Sequence, residues 1–397
     1  MSASKIRFGI IGTGSRGIGS YGRAIGEVYG DEAEIVAVTD SDPVRLSVGA
    51  QHLEVEHADT NPGILLDNPD VDAVIITTPD ATHADFACAA LGADKHVLCE
   101  KPIATTIADC NRIRTAAEGS RGELMTGFVL RYVPFYEEMH AAITQGEIGP
   151  SRFVTIADNR DGAAYFRRWH RLRANSGGLL VHKSTHALDI VNWMLDARPV
   201  SVSATGGVAV FTPKEWAGER CLTCDAADTC PEYVDIREGR LKTLYHDAEA
   251  TSGYIFDTCV FNSEKDTVDH ATASIEYENG ARASYSLCLF ASYTEREIGV
   301  WGDDGKVEGR DGAGHYRISG RRDGRDELRH VEVRKGGHGG GDVRLLADAL
   351  PVFRGEQDPV AGLEAAYWST VLGIAAETSV AGDGARMTLT ELGAALS

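Results

Sequence analysis

Apolar residues in the first third of the chain fall in short continuous runs. Ile6, Phe8, Ile10 and Ile11 form the first, and Ile35 to Val38 the second, inside a segment that ends in Asp40. Residues 71–78, 96–99 and 124–129 carry three more. Runs that are continuous rather than alternating predict strands covered on both faces. Between the third and fourth runs Ala84, Ala87, Cys88 and Leu91 recur at helical spacing. Strands separated by helices predict a doubly wound parallel sheet, with its ligand crevice at the carboxyl ends of the strands. The pattern changes near residue 130. Residues 134–146 predict a helix with Phe135, Met139 and Ile143 on one side and Gly146 as its stop. Strand patterns then dominate, at 153–157, 200–204, 267–277, 281–289 and 297–301. Thr272, Ser274 and Glu276 alternate with Ala273, Ile275 and Tyr277, the period of a strand buried on one face. Asn279-Gly280 and Asp304-Gly305 supply hairpin turns. Helical patterns return at 342–353 and 361–380.

The first run leads into Gly12-Thr13-Gly14-Ser15-Arg16-Gly17, a G-x-G-x-x-G turn. Gly12 permits the tight turn, Gly14 leaves room for a diphosphate against the backbone, and Gly17 lets the next helix lie close on the strand. That helix N-terminus adds partial positive charge. Asp40, at the end of the second strand, stands where an acid accepts hydrogen bonds from the adenosine ribose, and it repels a 2′-phosphate. NAD is therefore the expected cofactor, against which Arg16 and Arg45 are the two groups able to receive a 2′-phosphate. The expected fold is an α/β Rossmann domain over 1–129, followed over 130–397 by an α+β domain with a large open mixed or antiparallel sheet. The C-terminal helices are expected to pack back on the first domain.

Composition narrows the partners. The 397 residues are 43% hydrophobic, enough for two cores. A formal charge of −20 repels phosphate-coated partners, which argues against nucleic acid and anionic membranes. No apolar run is long enough to span a bilayer, and no signal-peptide core precedes the first strand, so a cytoplasmic protein with reduced cysteines is expected. An acidic surface and an open sheet suit a homo-oligomer, a dimer or tetramer.

Two stretches carry acid–base chemistry. Glu100-Lys101-Pro102 comes after the fourth run, at the crevice. A lysine there can polarise a substrate hydroxyl and stabilise developing negative charge, with burial drawing its pKa toward the working range. The second stretch is 177–189. A helix beginning near His182 sets His182 and His186 at i, i+4 on one face, with Asp189 three residues further on to orient His186. Imidazoles suit proton transfer here better than metal binding, because no third ligand is evident nearby.

With these residues in view the chain resembles the Gfo/Idh/MocA family of NAD(P)-dependent sugar oxidoreductases. The resemblance rests on 12–17, Thr78-Pro79 with His83, Glu100-Lys101-Pro102 and the Gly177-Gly178 segment leading to the His186 helix. It implies that Lys101 and His186 are the catalytic pair and that Thr78, Pro79, His83 and Glu100 line the cofactor. There is one departure. Many members carry Asp four residues before the catalytic histidine, and here His182 stands there, with Lys183 next to it. The resemblance therefore implies a sugar dehydrogenase first. The alternative is an NAD-dependent glycosidase that oxidises, eliminates, adds water and re-reduces without net redox, with His182 and Lys183 as extra acid–base groups and Tyr132 or His338 as further candidates. A non-catalytic dinucleotide-binding sensor is the reading of another class.

Three features remain. Arg167, Arg168, Arg171 and Arg173 form a basic cluster that Arg160 can join, suited to a carboxylate, sulfonate or phosphate on a sugar. Cys221, Cys224 and Cys230 cluster in a loop and suggest structural zinc, with Cys259 as fourth ligand and His246 as runner-up. The glycine-rich stretch 336–341 holds His338 and precedes Asp342, a plausible N-cap, so it is a loop able to close over substrate.

Overall fold

A computed structural model describes residues 4–334 and 336–395. Six strands build the first sheet: β1 (Ile6–Ile11), β2 (Ala33–Thr39), β3 (His57–Asp59), β4 (Ala73–Ile76), β5 (His96–Cys99) and β6 (Leu124–Thr126). They are ordered β3-β2-β1-β4-β5-β6, all parallel. The order reverses between β1 and β4, and that switch point opens the crevice where the glycine turn lies. Strand β3 has no hydrophobic signal because it is a three-residue edge strand with every residue exposed. Strand β6 stops at Thr126, short of residue 129, because the chain turns there into the short helix Val129–Tyr132.

The second sheet has nine strands: β7 (Ser151–Asp161), β8 (Pro199–Gly207), β9 (His270–Tyr277), β10 (Arg282–Cys288), β11 (Phe290–Gly302), β12 (Gly305–Arg310), β13 (His315–Gly320), β14 (Asp326–His330) and β15 (Met387–Thr388). Their order is β14-β13-β12-β11-β7-β10-β9-β8-β15. All pairs are antiparallel except the central β7–β10 pair, so the sheet is mixed. One face packs on the helices Thr185–Leu195 and Leu363–Ala381. The other is open, and Thr155, Ser284, Glu297, Trp301 and Lys306 are among the residues around a concavity of about 520 Å³ on it.

The helix Gly341–Phe353 joins the first sheet's core: Leu345, Leu346, Ala349 and Leu350 are buried with Phe8, Ile10 and Ile75, and the Phe8 and Phe353 rings lie 6.2 Å apart. Strands β8 and β9 are neighbours in space, yet residues 208–269 separate them in sequence. This excursion leaves the sheet and extends across to the first sheet's glycine turn. Among the described residues no helix is long and apolar enough to cross a membrane.

Candidate active site

The loops at the carboxyl ends of the first sheet's strands build the crevice. After β1, Gly12 adopts φ +100°, a left-handed conformation that favours glycine, and its N–H donates to Thr39 O at 2.8 Å. A Cβ on Gly17 would run into Gly12 O, so only glycine lets the helix lie this close. At Gly14 no atom would stand nearer to a Cβ than 3.8 Å, which leaves open backbone for a diphosphate. After β2 the buried Asp40 accepts from Thr13 N at 2.9 Å and from the Thr13 hydroxyl at 3.0 Å, and Arg45 lies 3.2 Å away. These features fit an NAD-type dinucleotide. Arg16 is committed elsewhere: it pairs with Glu100 and, at 2.7 Å, with Asp342. The two arginines able to receive a 2′-phosphate are thus both held by carboxylates.

After β4 comes Thr77-Thr78-Pro79-Asp80. His83 lies between Thr78 O at 2.9 Å and Pro102 O at 2.7 Å, so it ties the β4 loop to the β5 loop and keeps both ring nitrogens on backbone. After β5, Glu100 accepts from Tyr21 at 2.8 Å as well as from Arg16. Lys101 points across to the second domain and donates from Nζ to His182 O at 2.8 Å. Burial lowers the Lys101 pKa, and Asp80 and Glu100 partly restore it.

The segment expected to be one helix is two. Leu179–His182 and Thr185–Leu195 are separate helical pieces, joined through Lys183 and Ser184. The imidazoles therefore have different surroundings. His182 Nδ1 lies 2.6 Å from Asp80 Oδ2, and its ring sits among His170 at 4.3 Å, Trp169 at 5.3 Å and Tyr165 at 5.7 Å. Burial raises the Asp80 pKa well above the usual range, and burial with Lys101 nearby lowers that of His182. His186 faces Phe128, at 6.2 Å, and His338, at 5.9 Å. Its Nδ1 is buried and has no hydrogen-bond partner among the described residues. Burial, then Lys101 and His338, hold its pKa well below that of an ordinary imidazole, which favours the neutral ring.

Several expected partners lie elsewhere. Asp189 does not orient His186; it is buried in a two-pronged pair with Arg131, at 2.7 and 2.9 Å. Lys183 is buried against Asp158 at 2.7 Å, in a cluster with Arg160 and Arg296. The Tyr132 hydroxyl donates to Asp348 at 2.7 Å. His338 is held at 3.1 Å by Asp342, which places the glycine-rich loop beside His186. Among the described residues Asp342 caps no backbone N–H; its carboxylate is taken by Arg16 and His338.

The basic cluster disperses. Arg167 donates to Glu232 O, Arg171 to Glu264 O at 3.1 Å, and Arg173 pairs with Glu377 at 2.9 Å. Arg168 lies over the Phe256 ring at 4.6 Å, with its Nε buried and unpartnered among the described residues. The segment's contribution to the His182 surroundings is Trp169 and His170. The zinc expectation finds no support. Cys221, Cys224, Cys230 and Cys259 do surround one cavity, of about 20 Å³, with Trp216 and Tyr233. All four are free thiols, and among the described residues no group of three or more His, Cys, Asp or Glu is arranged to hold a metal. His246 contacts Asp247 at 3.2 Å.

Two features escape sequence reasoning. One is Asp80, for which the available signal is an acid directly after Thr78-Pro79 at a strand end. The other is the aromatic and imidazole surroundings of His182, which come from chain-distant Tyr165, Trp169 and His170, and no spacing rule joins them.

A six-stranded 3-2-1-4-5-6 parallel sheet, with a glycine turn after β1 and a buried acid after β2, is the architecture of a dinucleotide-binding fold. Residues 6–128 match the oxidoreductase family, NAD-binding Rossmann fold, and residues 140–389 match the oxidoreductase family C-terminal alpha/beta domain. The chain belongs to this Gfo/Idh/MocA family. It is 31% identical to YteT of Bacillus subtilis (strain 168), over 93% of this chain and 95% of that one. It is 28% identical to the myo-inositol 2-dehydrogenase of Thermotoga maritima, over 72% of this chain and 82% of the relative. In fold it is similar to levoglucosan dehydrogenase in complex with NADH and L-sorbose, with TM-score 0.76 and 18% identity, covering 98% of this chain and 99% of that one.

Proposed function

We propose that the protein oxidises a ring carbon of a sugar or cyclitol with NAD. The observation that carries this reading is that the buried His186 faces Phe128 and His338, while the half-buried Lys101, just after β5, bonds His182 O four residues before His186. When bound, the dinucleotide supplies the hydride acceptor. Lys101 keeps N–H groups free beyond its bond to His182 O, and these hydrogen-bond the hydroxyl oxygen of the reacting carbon and stabilise its developing negative charge. His186, neutral at the start, takes the hydroxyl proton. Phe128 and the 336–341 loop, through His338, flank His186 and exclude water from it. The family and the inositol dehydrogenase relative support a polyhydroxylated ring as substrate.

A second reading is favoured by the Asp80–His182 pair. A redox-neutral glycosidase needs a proton donor and acceptor near the adjacent carbon, and Asp80 with His182 can pass one proton between them at 2.6 Å. One experiment separates the readings: NAD-loaded protein with free cyclitols and hexoses, and with neutral, uronic and sulfonated aryl glycosides, tracking NADH and aglycone together. The dehydrogenase predicts NADH accumulation from free rings and inert glycosides. Aglycone release without NADH would replace it with the glycosidase, and silence on every compound would favour a sensor.

A further inference from the structure

The excursion of residues 208–269 is not a loop lying on its own sheet. Its short helical segments Gly239–Leu241, Lys242–His246 and Glu249–Ser252 extend to the first domain. Arg240 donates from Nη2 to Ser15 O at 3.0 Å, inside the glycine turn. The Tyr245 hydroxyl lies 3.8 Å from where a Cβ on Gly14 would stand, facing the open backbone that the turn leaves for a diphosphate. The Thr251 hydroxyl donates to Asp42 at 2.6 Å, and Asp42 N donates to the ribose-directed Asp40 at 2.9 Å. The excursion therefore meets the crevice at both its diphosphate and its ribose positions.

Ion pairs and ring stacking hold this arm from below. Arg220 joins Glu249, at 2.8 Å, to the fully buried Asp257, at 2.6 Å. The Tyr245 ring stacks on Phe256 at 4.2 Å, and Phe256 in turn carries Arg168. Tyr254 accepts from Trp169 N at 3.3 Å, which connects the arm to the His182 surroundings.

We propose that residues 239–251 clamp the bound dinucleotide, with Tyr245 donating to a diphosphate oxygen and Arg240 adding positive charge beside it, so that the cofactor leaves slowly. The inference rests on the dinucleotide reading of the crevice and adds to it a second wall, contributed by the other domain. A hydroxyl donor and a guanidinium match a diphosphate, which offers only acceptors.

The test measures Kd and release rate of NADH, and Kd of ADP-ribose, for wild type, Tyr245→Phe and Arg240→Gln, each with a melting curve. ADP-ribose keeps the diphosphate and adenosine without the nicotinamide, so it reads the clamp apart from any turnover. Each variant is expected to weaken both ligands by about tenfold, the scale of one hydrogen bond to a charged group, and to speed NADH release. Melting temperatures without ligand should stay at the wild-type value. Wild-type affinities and release rates in both variants would overturn the clamp, as would a lower melting temperature with unchanged affinity, which identifies packing alone. A wild-type protein that binds neither ligand would instead reject the dinucleotide reading, and the clamp with it.

Discussion

Lys101→Met lowers kcat by about 10³-fold, within the range of a lost acid–base and charge-stabilising group. Methionine keeps the length and apolar stem of the side chain and removes the ammonium. The loss falls on kcat because the ammonium acts most strongly on the oxygen that gains charge as hydride leaves, while the diphosphate and ribose contacts lie at the other end of the crevice. NADH affinity should change far less than kcat. Lys101→Arg keeps the charge but not the compact shape, and it should recover little. Steady-state kinetics with NADH titration reads both quantities. A non-catalytic sensor predicts that Lys101→Met behaves as wild type, which would remove Lys101 from the mechanism.

Asp158→Ala has the largest expected effect on stability. Asp158 is fully buried and faces Lys183 at 2.7 Å, Arg160 at 2.8 Å and Arg296 at 3.3 Å. Removing the carboxylate leaves buried cations without an anion, a cost of about 3–5 kcal/mol. The other carboxylate at the cluster, Asp311, bonds Arg296 at 3.0 Å and also accepts from Tyr136, so it cannot match the remaining cations. The cations hold the Asp158 pKa far below the ordinary carboxylate range, against the upward push of burial. A carboxylate whose folded pKa is depressed adds stability above its unfolded pKa, about 3.9, and loses it as pH falls toward the folded value. Wild type should therefore lose stability below about pH 4 through this group, and Asp158→Ala should lack that part of the dependence. Urea unfolding at neutral and acidic pH checks both statements. A neutral-pH loss under about 1 kcal/mol would mean that the cluster behaves as an exposed pair.

Much of the crevice is legible in the sequence because its residues are local to strand ends. Gly12, Asp40, Thr78, Glu100 and Lys101 each come just after an apolar run, so the run that predicts the strand also fixes where the residue stands. Contacts between distant segments are not legible. The Lys101 bond to His182 O, the Asp80–His182 pair and the Arg16–Asp342 pair join residues 81, 102 and 326 positions apart. Asp189 shows the converse. Three residues after His186 it looks like an orienting acid, but its turn of helix faces Arg131 and Ser369 in the core. The arginines at 167–173 read as one patch because charge is additive along a sequence. In three dimensions short helical turns aim them in different directions, and backbone carbonyls or carboxylates satisfy three of them. The cysteine spacing does bring four thiols around one cavity without setting them at a metal.

The central claim is that this crevice takes hydride from a sugar carbon. The direct measurement is label transfer: NAD-loaded protein is mixed with hexoses and cyclitols deuterated at their ring carbons, quenched during turnover, and the cofactor is examined by mass spectrometry. The account predicts deuterium in the reduced nicotinamide for at least one ring, and none with Lys101→Met. A cofactor that stays unlabelled with every ring, or labelling that is the same in wild type and Lys101→Met, would contradict it.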